Sequence, residues 1–186
     1  MSVQPARRCF SVEEYHRMGA AGIFSEDDRV ELIEGEILKM SPIGSLHVAV
    51  VNRTHREFDR QLGDRAIVSG QNPILLNDFS EPQPDIAVLQ PRDDFYASEL
   101  SKVADVLLVV EVADTTVTYD RETKFPAYAR AGIAEAWLAD LPAECIEKHT
   151  DPVDGVYRKI EKFRRSDTIA SSSVPGLVVA VEKILG

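Results

Sequence analysis

Asp105-Val-Leu-Leu-Val-Val-Glu111-Val-Ala113 is an apolar run broken by a single carboxylate. A continuous run of this length and β-branched content reads as a strand buried on both faces, and so as the centre of a sheet. Side chains alternate along a strand, which puts Leu107, Val109, Glu111 and Ala113 on one face and Leu108, Val110 and Val112 on the other. A carboxylate there is costly unless a cation, a metal or several hydrogen bonds compensate it. The nearest cation is Lys124, thirteen residues on. Glu111 also falls at the C-terminal end of its strand, where open α/β sheets place ligands.

Upstream, Pro84-Asp85 opens a second apolar run, Ile86-Ala-Val-Leu89, expected as a neighbouring strand. Ala66–Val68 and Pro73–Leu76 read as two further strands between turn signals. Arg29–Met40 alternates around Glu34-Gly35, which suits a tight hairpin with the glycine at positive φ and places Glu31 and Ile33 on one face. His47–Leu62 has helical spacing with Val48, Val51, His55, Phe58 and Leu62 on its apolar stripe, ending at Gly63. Ser11 with Glu14 forms a capping-box signature for a short first helix.

Downstream, residues 90–102 form a charged loop, and Asp120–Ala131 a helix ending at Gly132 that either starts near Thr123 or bends at Pro126. Ala136–Asp140 returns as a strand. A hairpin follows from Cys145 to Phe163 with its turn at Asp151–Gly155, and Leu177–Leu185 is an apolar closing segment. A helical crossover between the strands at 106–112 and 136–140 implies that they run parallel. The expected fold is a single α/β domain spanning residues 1–186, with a mixed sheet flanked by helices, an N-terminal hairpin and a C-terminal β extension.

The chain has 186 residues with a formal charge of −10. That balance argues against broad non-specific affinity for polyanions, because Lys and Arg supply most of such binding. Acids gathered around a divalent cation would inflate the negative total, while two local basic segments, Arg53–Arg65 and Arg158–Arg165, could still meet a phosphate backbone; ordinary solvated surface charge is the better explanation of each. Cys9 and Cys145 have no CxxC or Cys/His spacing, so no disulfide framework or zinc site is indicated. No stretch is apolar enough to span a membrane and residues 1–8 lack an apolar signal core, so a soluble, cytoplasmic protein is expected.

Asp85 and Glu111 on adjacent strands, with Lys124 nearby, would form a metal-dependent phosphodiesterase site. Hard cations such as Mg2+ take carboxylate oxygens, waters and substrate phosphate, and lower the pKa of an attacking water. A lysine beside that water would stabilise developing negative charge. Each residue has a plainer explanation as well. Glu111 would make a buried salt bridge, Asp85 a turn after proline, and Lys124 a surface pair with Asp120 four residues earlier worth about 0.3–0.5 kcal/mol.

The string Val110-Glu111-Val-Ala-Asp-Thr-Thr-Val-Thr-Tyr-Asp120-Arg-Glu-Thr-Lys124, continued by Tyr128-Ala-Arg-Ala-Gly132-Ile-Ala-Glu-Ala-Trp137-Leu-Ala-Asp140, resembles the Uma-two family of restriction-endonuclease-like proteins. So do Glu31-Leu-Ile-Glu-Gly35-Glu, Met40-Ser-Pro42 with His47, and Pro84-Asp85, in the family's order over roughly residues 25–185. The resemblance implies the PD-(D/E)XK nuclease superfamily and its fold. Asp85 then corresponds to the PD aspartate and Glu111 to the first acid of (D/E)XK, both as metal ligands. The superfamily lysine position is Ala113, and the family resemblance nominates Lys124 on the following helix, with Tyr128 a turn away. Glu31 resembles an additional catalytic acid. His47 matches a family position, though a hydrogen bond at a helix start explains it equally. Ala136 stands where the family has an aromatic residue.

The implied activity is endonucleolytic hydrolysis of nucleic acid, with DNA as the expected substrate, Mg2+ as cofactor with Mn2+ as a substitute, and a homodimer as the assembly. Two rivals stand beside it: a non-catalytic nucleic-acid- or protein-binding domain that keeps the fold, and a hydrolase of small phosphoesters.

Overall fold

A computed structural model of the chain describes residues 7–25 and 27–186. Residues 1–6, most of the stretch read above for the absence of a signal core, lie outside the described residues. Helix α1 (Val12–Ala20) starts on the expected capping box: Ser11 Oγ accepts from Glu14 N–H at 3.1 Å, and Glu14 Oε2 accepts from Ser11 N–H at 3.0 Å. Strands β1 (Val30–Ile33) and β2 (Glu36–Lys39) form the expected hairpin. Its turn has positive φ at Glu34 and Gly35, and a side chain at position 35 would collide with Cys9, so this position requires glycine.

Helix α2 (Ser45–Leu62) buries His47, Val50, Thr54, Phe58 and Leu62. Phe58 and Leu62 face inward as expected, but over the first turns the inward positions are His47, Val50 and Thr54, each one residue before the expected Val48, Val51 and His55, and Val48 is 39% exposed. Thr54 can face the core because its hydroxyl bonds the Val50 carbonyl at 2.8 Å, which hides the polar group that made the position look outward. Strands β3 (Ile67–Gly70) and β4 (Ile86–Leu89) follow. The expected strand at 73–76 is absent: the N–H groups of Ile74, Leu75 and Leu76 go to Pro82, Ser101 and Ser80, three separate loop partners that no single ladder joins.

Strand β5 (Val106–Ala113) leads into helix α3 (Val117–Tyr119), a π turn at Asp120–Lys124, and helix α4 (Phe125–Ala131). The helix thus begins earlier than expected and widens instead of starting at Thr123. Phe125 N–H reaches back five residues to Asp120, just before Pro126, which has no N–H to donate. Gly132 closes α4 at φ 90°. Strands β6 (Glu135–Asp140), β7 (Cys145–Val153) and β8 (Val156–Arg164) come next, the last two turning tightly at Asp154-Gly155 instead of over the longer expected turn. The closing segment divides into β10 (Val178–Ala180), paired with β9 (Thr168–Ala170), and helix α5 (Val181–Leu185).

The main sheet has the order β3-β4-β5-β6-β7-β8, with β5 and β6 parallel and every other pair antiparallel. The apolar run is therefore interior, as its composition required. On one face Leu108, Val110 and Val112 pack with Trp137 and Phe58, whose rings meet edge-on at 5.6 Å. On the other, Val109 and Ala113 pack with Phe125, Tyr128 and Leu138. Leu107 departs from the alternation and sides with Leu108, because the register against β4 shifts between Val88 and Leu89 in a bulge. No helix among the described residues is long and apolar enough to cross a membrane.

Candidate active site

Antiparallel pairing of β4 with β5 sets Asp85, one residue before β4, against the C-terminal half of β5. Asp85 Oδ2 accepts the Val112 N–H at 2.8 Å and faces His47 Nε2 at 3.1 Å, while Gln71 Nε2 lies 3.3 Å from Oδ1. Burial works against ionisation of this carboxyl. The His47 and Val112 hydrogen bonds outweigh it and hold Asp85 below the usual aspartate range.

Glu111 is 3% exposed. Its Oε1 takes both the Tyr128 hydroxyl at 2.5 Å and Lys124 Nζ at 3.2 Å, which leaves Oε2 for a ligand. Lys124 also reaches Glu31 Oε2 at 3.2 Å, and Glu31 is fixed in turn by Gln83 N–H at 3.1 Å and the Tyr119 hydroxyl at 3.3 Å. The surface pairing considered for Lys124 with Asp120 is therefore wrong. Lys124 is 5% exposed and bridges two buried glutamates.

A cavity of about 600 Å³ is lined by Glu31, Asp85, Glu111, Asp120, Lys124 and His47 among others. The four residues singled out from the sequence thus meet at one place. Asp120, 4% exposed, joins them and was missed as part of this group. Its four-residue spacing from Lys124 puts the two side by side in the sequence but reads as an exposed pair, and burial of that face is a tertiary property.

Four buried carboxyl groups, Glu31, Asp85, Glu111 and Asp120, act on the one buried ammonium of the cavity, Lys124, and the shifts of Glu111, Asp120 and Lys124 follow from that imbalance. Burial first, then the neighbouring acids, push Glu111 well above the ordinary glutamate range against the pull of Lys124. Burial likewise raises Asp120 to about 6. Burial alone would lower Lys124, but Glu111, Glu31, Asp120 and Asp85 overcome it and keep the ammonium charged. The shifts of Glu111 and Lys124 conflict as descriptions of a simple ion pair. The excess of acid resolves the conflict: the lysine stays charged, and Glu111 and Asp120 hold their protons more tightly than usual.

A second cluster, Asp140, Cys145 and Glu147, is the one group among the described residues whose candidate ligand atoms all lie within 4.8 Å of one another. Cations of the chain already occupy it. Arg121 Nη2 lies 2.6 Å from Asp140 and 2.8 Å from Glu147, and Lys162 Nζ lies 2.7 Å from Glu147.

The family Uma2, described as "Putative restriction endonuclease", matches residues 12–182. Among solved structures the chain is similar to "a putative nuclease belonging to DUF820" from Anabaena variabilis, with a TM-score of 0.72 at 16% identity, covering 95% of this chain and 97% of that one. That likeness supports the fold. No curated protein matches the chain.

Proposed function

We propose, from the premise that this chain belongs to the Uma2 family, that it is a divalent-metal-dependent endonuclease hydrolysing phosphodiester bonds of nucleic acid, with DNA as substrate. The observation that carries this reading is the convergence of Glu31, Asp85, Glu111 and Lys124, from separate elements, on one cavity. Acids with shifted titration, here Asp85 and Glu111, gathered with a lysine in a cleft are a mark of function.

The donor set suits a hard cation. Asp85 and the unengaged Oε2 of Glu111 offer carboxylate oxygens, and the surplus of acid over ammonium is a deficit of positive charge that Mg2+ or Mn2+ would fill. Asp85 and Glu111 would hold the cation, which would supply Lewis-acid polarisation of the phosphoryl group and a more acidic bound water. Lys124 would donate a hydrogen bond to the attacking water or to a phosphoryl oxygen as negative charge builds there. Glu31, which shares Lys124 with Glu111, would fix the ammonium's position, and Tyr128 would hold Glu111 Oε1 so that Oε2 faces the cavity. The same reading carries a homodimer, because two strands are cut by two related sites, and a cytoplasmic location.

Cleavage of supercoiled plasmid and labelled oligonucleotides with Mg2+ or Mn2+ tests the proposal. Cleavage should fall about a hundredfold or more in Asp85→Ala, the range expected for losing a charge-stabilising group in the transition state. Cleavage retained by that variant would place the activity elsewhere.

One observation favours the non-catalytic alternative: Lys124 is paired with Glu31 and Glu111 on both sides, as in a structural ion cluster. Calorimetric titration of a divalent cation separates the two readings, since a purely structural cluster binds no cation.

A further inference from the structure

The acids account for part of the cavity lining and leave another part without a role. Arg29, just before β1, and Lys39, at the end of β2, line the same cavity as the first turn of α2. Arg29 is half-buried and Lys39 exposed. The ion pairs of the site join Lys124 to Glu31 and Glu111 and leave both of these cations unengaged among the described residues.

Helix α2 opens on Gly44, which has no side chain to cap it, and its first turn carries no acid. Its leading N–H groups, with the partial positive charge of a helix start, thus meet no carboxylate from their own turn. His47 stands on that turn, is 8% exposed and lines the cavity. Its Nε2 faces Asp85, while its Nδ1 is the buried side-chain atom left without a hydrogen-bond partner among the described residues. With Nε2 donating to the Asp85 carboxylate, Nδ1 carries the lone pair of the neutral ring, so a water brought in with a ligand would complete its hydrogen bonding.

We infer that Arg29, Lys39 and the first turn of α2 with His47 form a phosphate subsite, which holds a backbone phosphate of a polynucleotide beside the diester that the acids act on. The inference rests on the proposed phosphodiesterase reading and narrows it: the substrate is a chain with at least two consecutive phosphates, not an isolated small phosphoester. Helix-start amides and two cations recognise phosphate without reading bases, so the subsite sets position and not sequence. A cavity of about 600 Å³ is of the size that takes a nucleotide-sized ligand. The net charge of −10 fits as well, since it confines polyanion binding to the few places where cations stand unneutralised.

Fluorescence anisotropy with a labelled DNA oligonucleotide in EDTA reads this binding with no cation and no cleavage. Wild type is compared with the double variant Arg29→Gln/Lys39→Gln and with a charge-matched pair on β8, Arg158→Gln/Lys159→Gln. The cavity pair should weaken binding about tenfold or more at low salt and flatten the dependence of log Kd on log salt by roughly 0.7–0.9, the value for the one phosphate no longer neutralised. The β8 pair should stay within about twofold of wild type. Equal weakening in both pairs, no weakening in the cavity pair, or no binding by wild type would overturn the subsite. Binding that depends on Arg29 and Lys39 in a protein that cleaves nothing with Mg2+ or Mn2+ would uphold the subsite and remove the catalytic reading.

Discussion

Glu111 on β5 and Glu147 on β7 are both glutamates with 3% exposure or less, yet their carboxyls shift in opposite directions. Burial pushes each upward. At Glu147 hydrogen bonds from His149, Arg121 and Lys162 outweigh burial and hold the carboxyl below the usual range. At Glu111 the one nearby cation is shared with Glu31, and Asp85, Asp120 and Glu31 add repulsion. The Glu147 cluster is electrically complete and the Glu111 cluster is not. Incompleteness in a lined cavity is what a site that takes up a cation and a phosphate requires, and completeness is what a strut between strands requires.

Removing the central cation of each cluster tests the contrast most strongly. Lys124→Ala would leave four buried or nearly buried acids facing one another and should cost about 3–5 kcal/mol in urea unfolding at pH 7.5. Arg121→Ala should cost only about 1–2 kcal/mol, because Lys162 and His149 remain and the Arg121 side chain is 36% exposed. Equal losses would mean that the clusters do not differ as described.

Stability against pH gives a smaller effect with a definite sign. Asp120 has a folded-state value of about 6, above its ordinary 3.8, so the folded protein binds the extra proton. Its contribution is present below about pH 4, declines as pH rises, and is fully lost above about pH 6. Asp85 and Glu147, shifted downward, contribute above about pH 4 and lose that contribution in more acid solution. Asp120→Asn should therefore stabilise the metal-free protein by about 1–3 kcal/mol at pH 7.5 and leave it near wild type at pH 4. Thermal unfolding at the two pH values checks this, and an Asn variant less stable at pH 7.5 would contradict it.

Much of this contrast could be read in the chain, and the limits have physical causes. Glu111 announced itself because a charge in a run of valines and leucines must be compensated, and the hairpin at Glu34-Gly35 because its turn requires a glycine. The first half of the α2 stripe was misplaced by one residue, while Phe58 and Leu62 were placed correctly, because Thr54 satisfies its own hydroxyl on Val50. Asp120 was missed because its four-residue spacing from Lys124 reads as an exposed helical pair, and only the tertiary fold buries both. The Arg121–Asp140–Glu147 cluster was invisible because its members come from a helix-like turn and two strands whose alignment only β6–β7 pairing creates.

The most direct test is calorimetric titration of Mn2+ at pH 7.5 into wild type, Glu111→Ala and Glu147→Gln. The account predicts a binding isotherm in wild type that survives in Glu147→Gln and vanishes in Glu111→Ala. An isotherm that persists in Glu111→Ala, or that disappears only in Glu147→Gln, would contradict it.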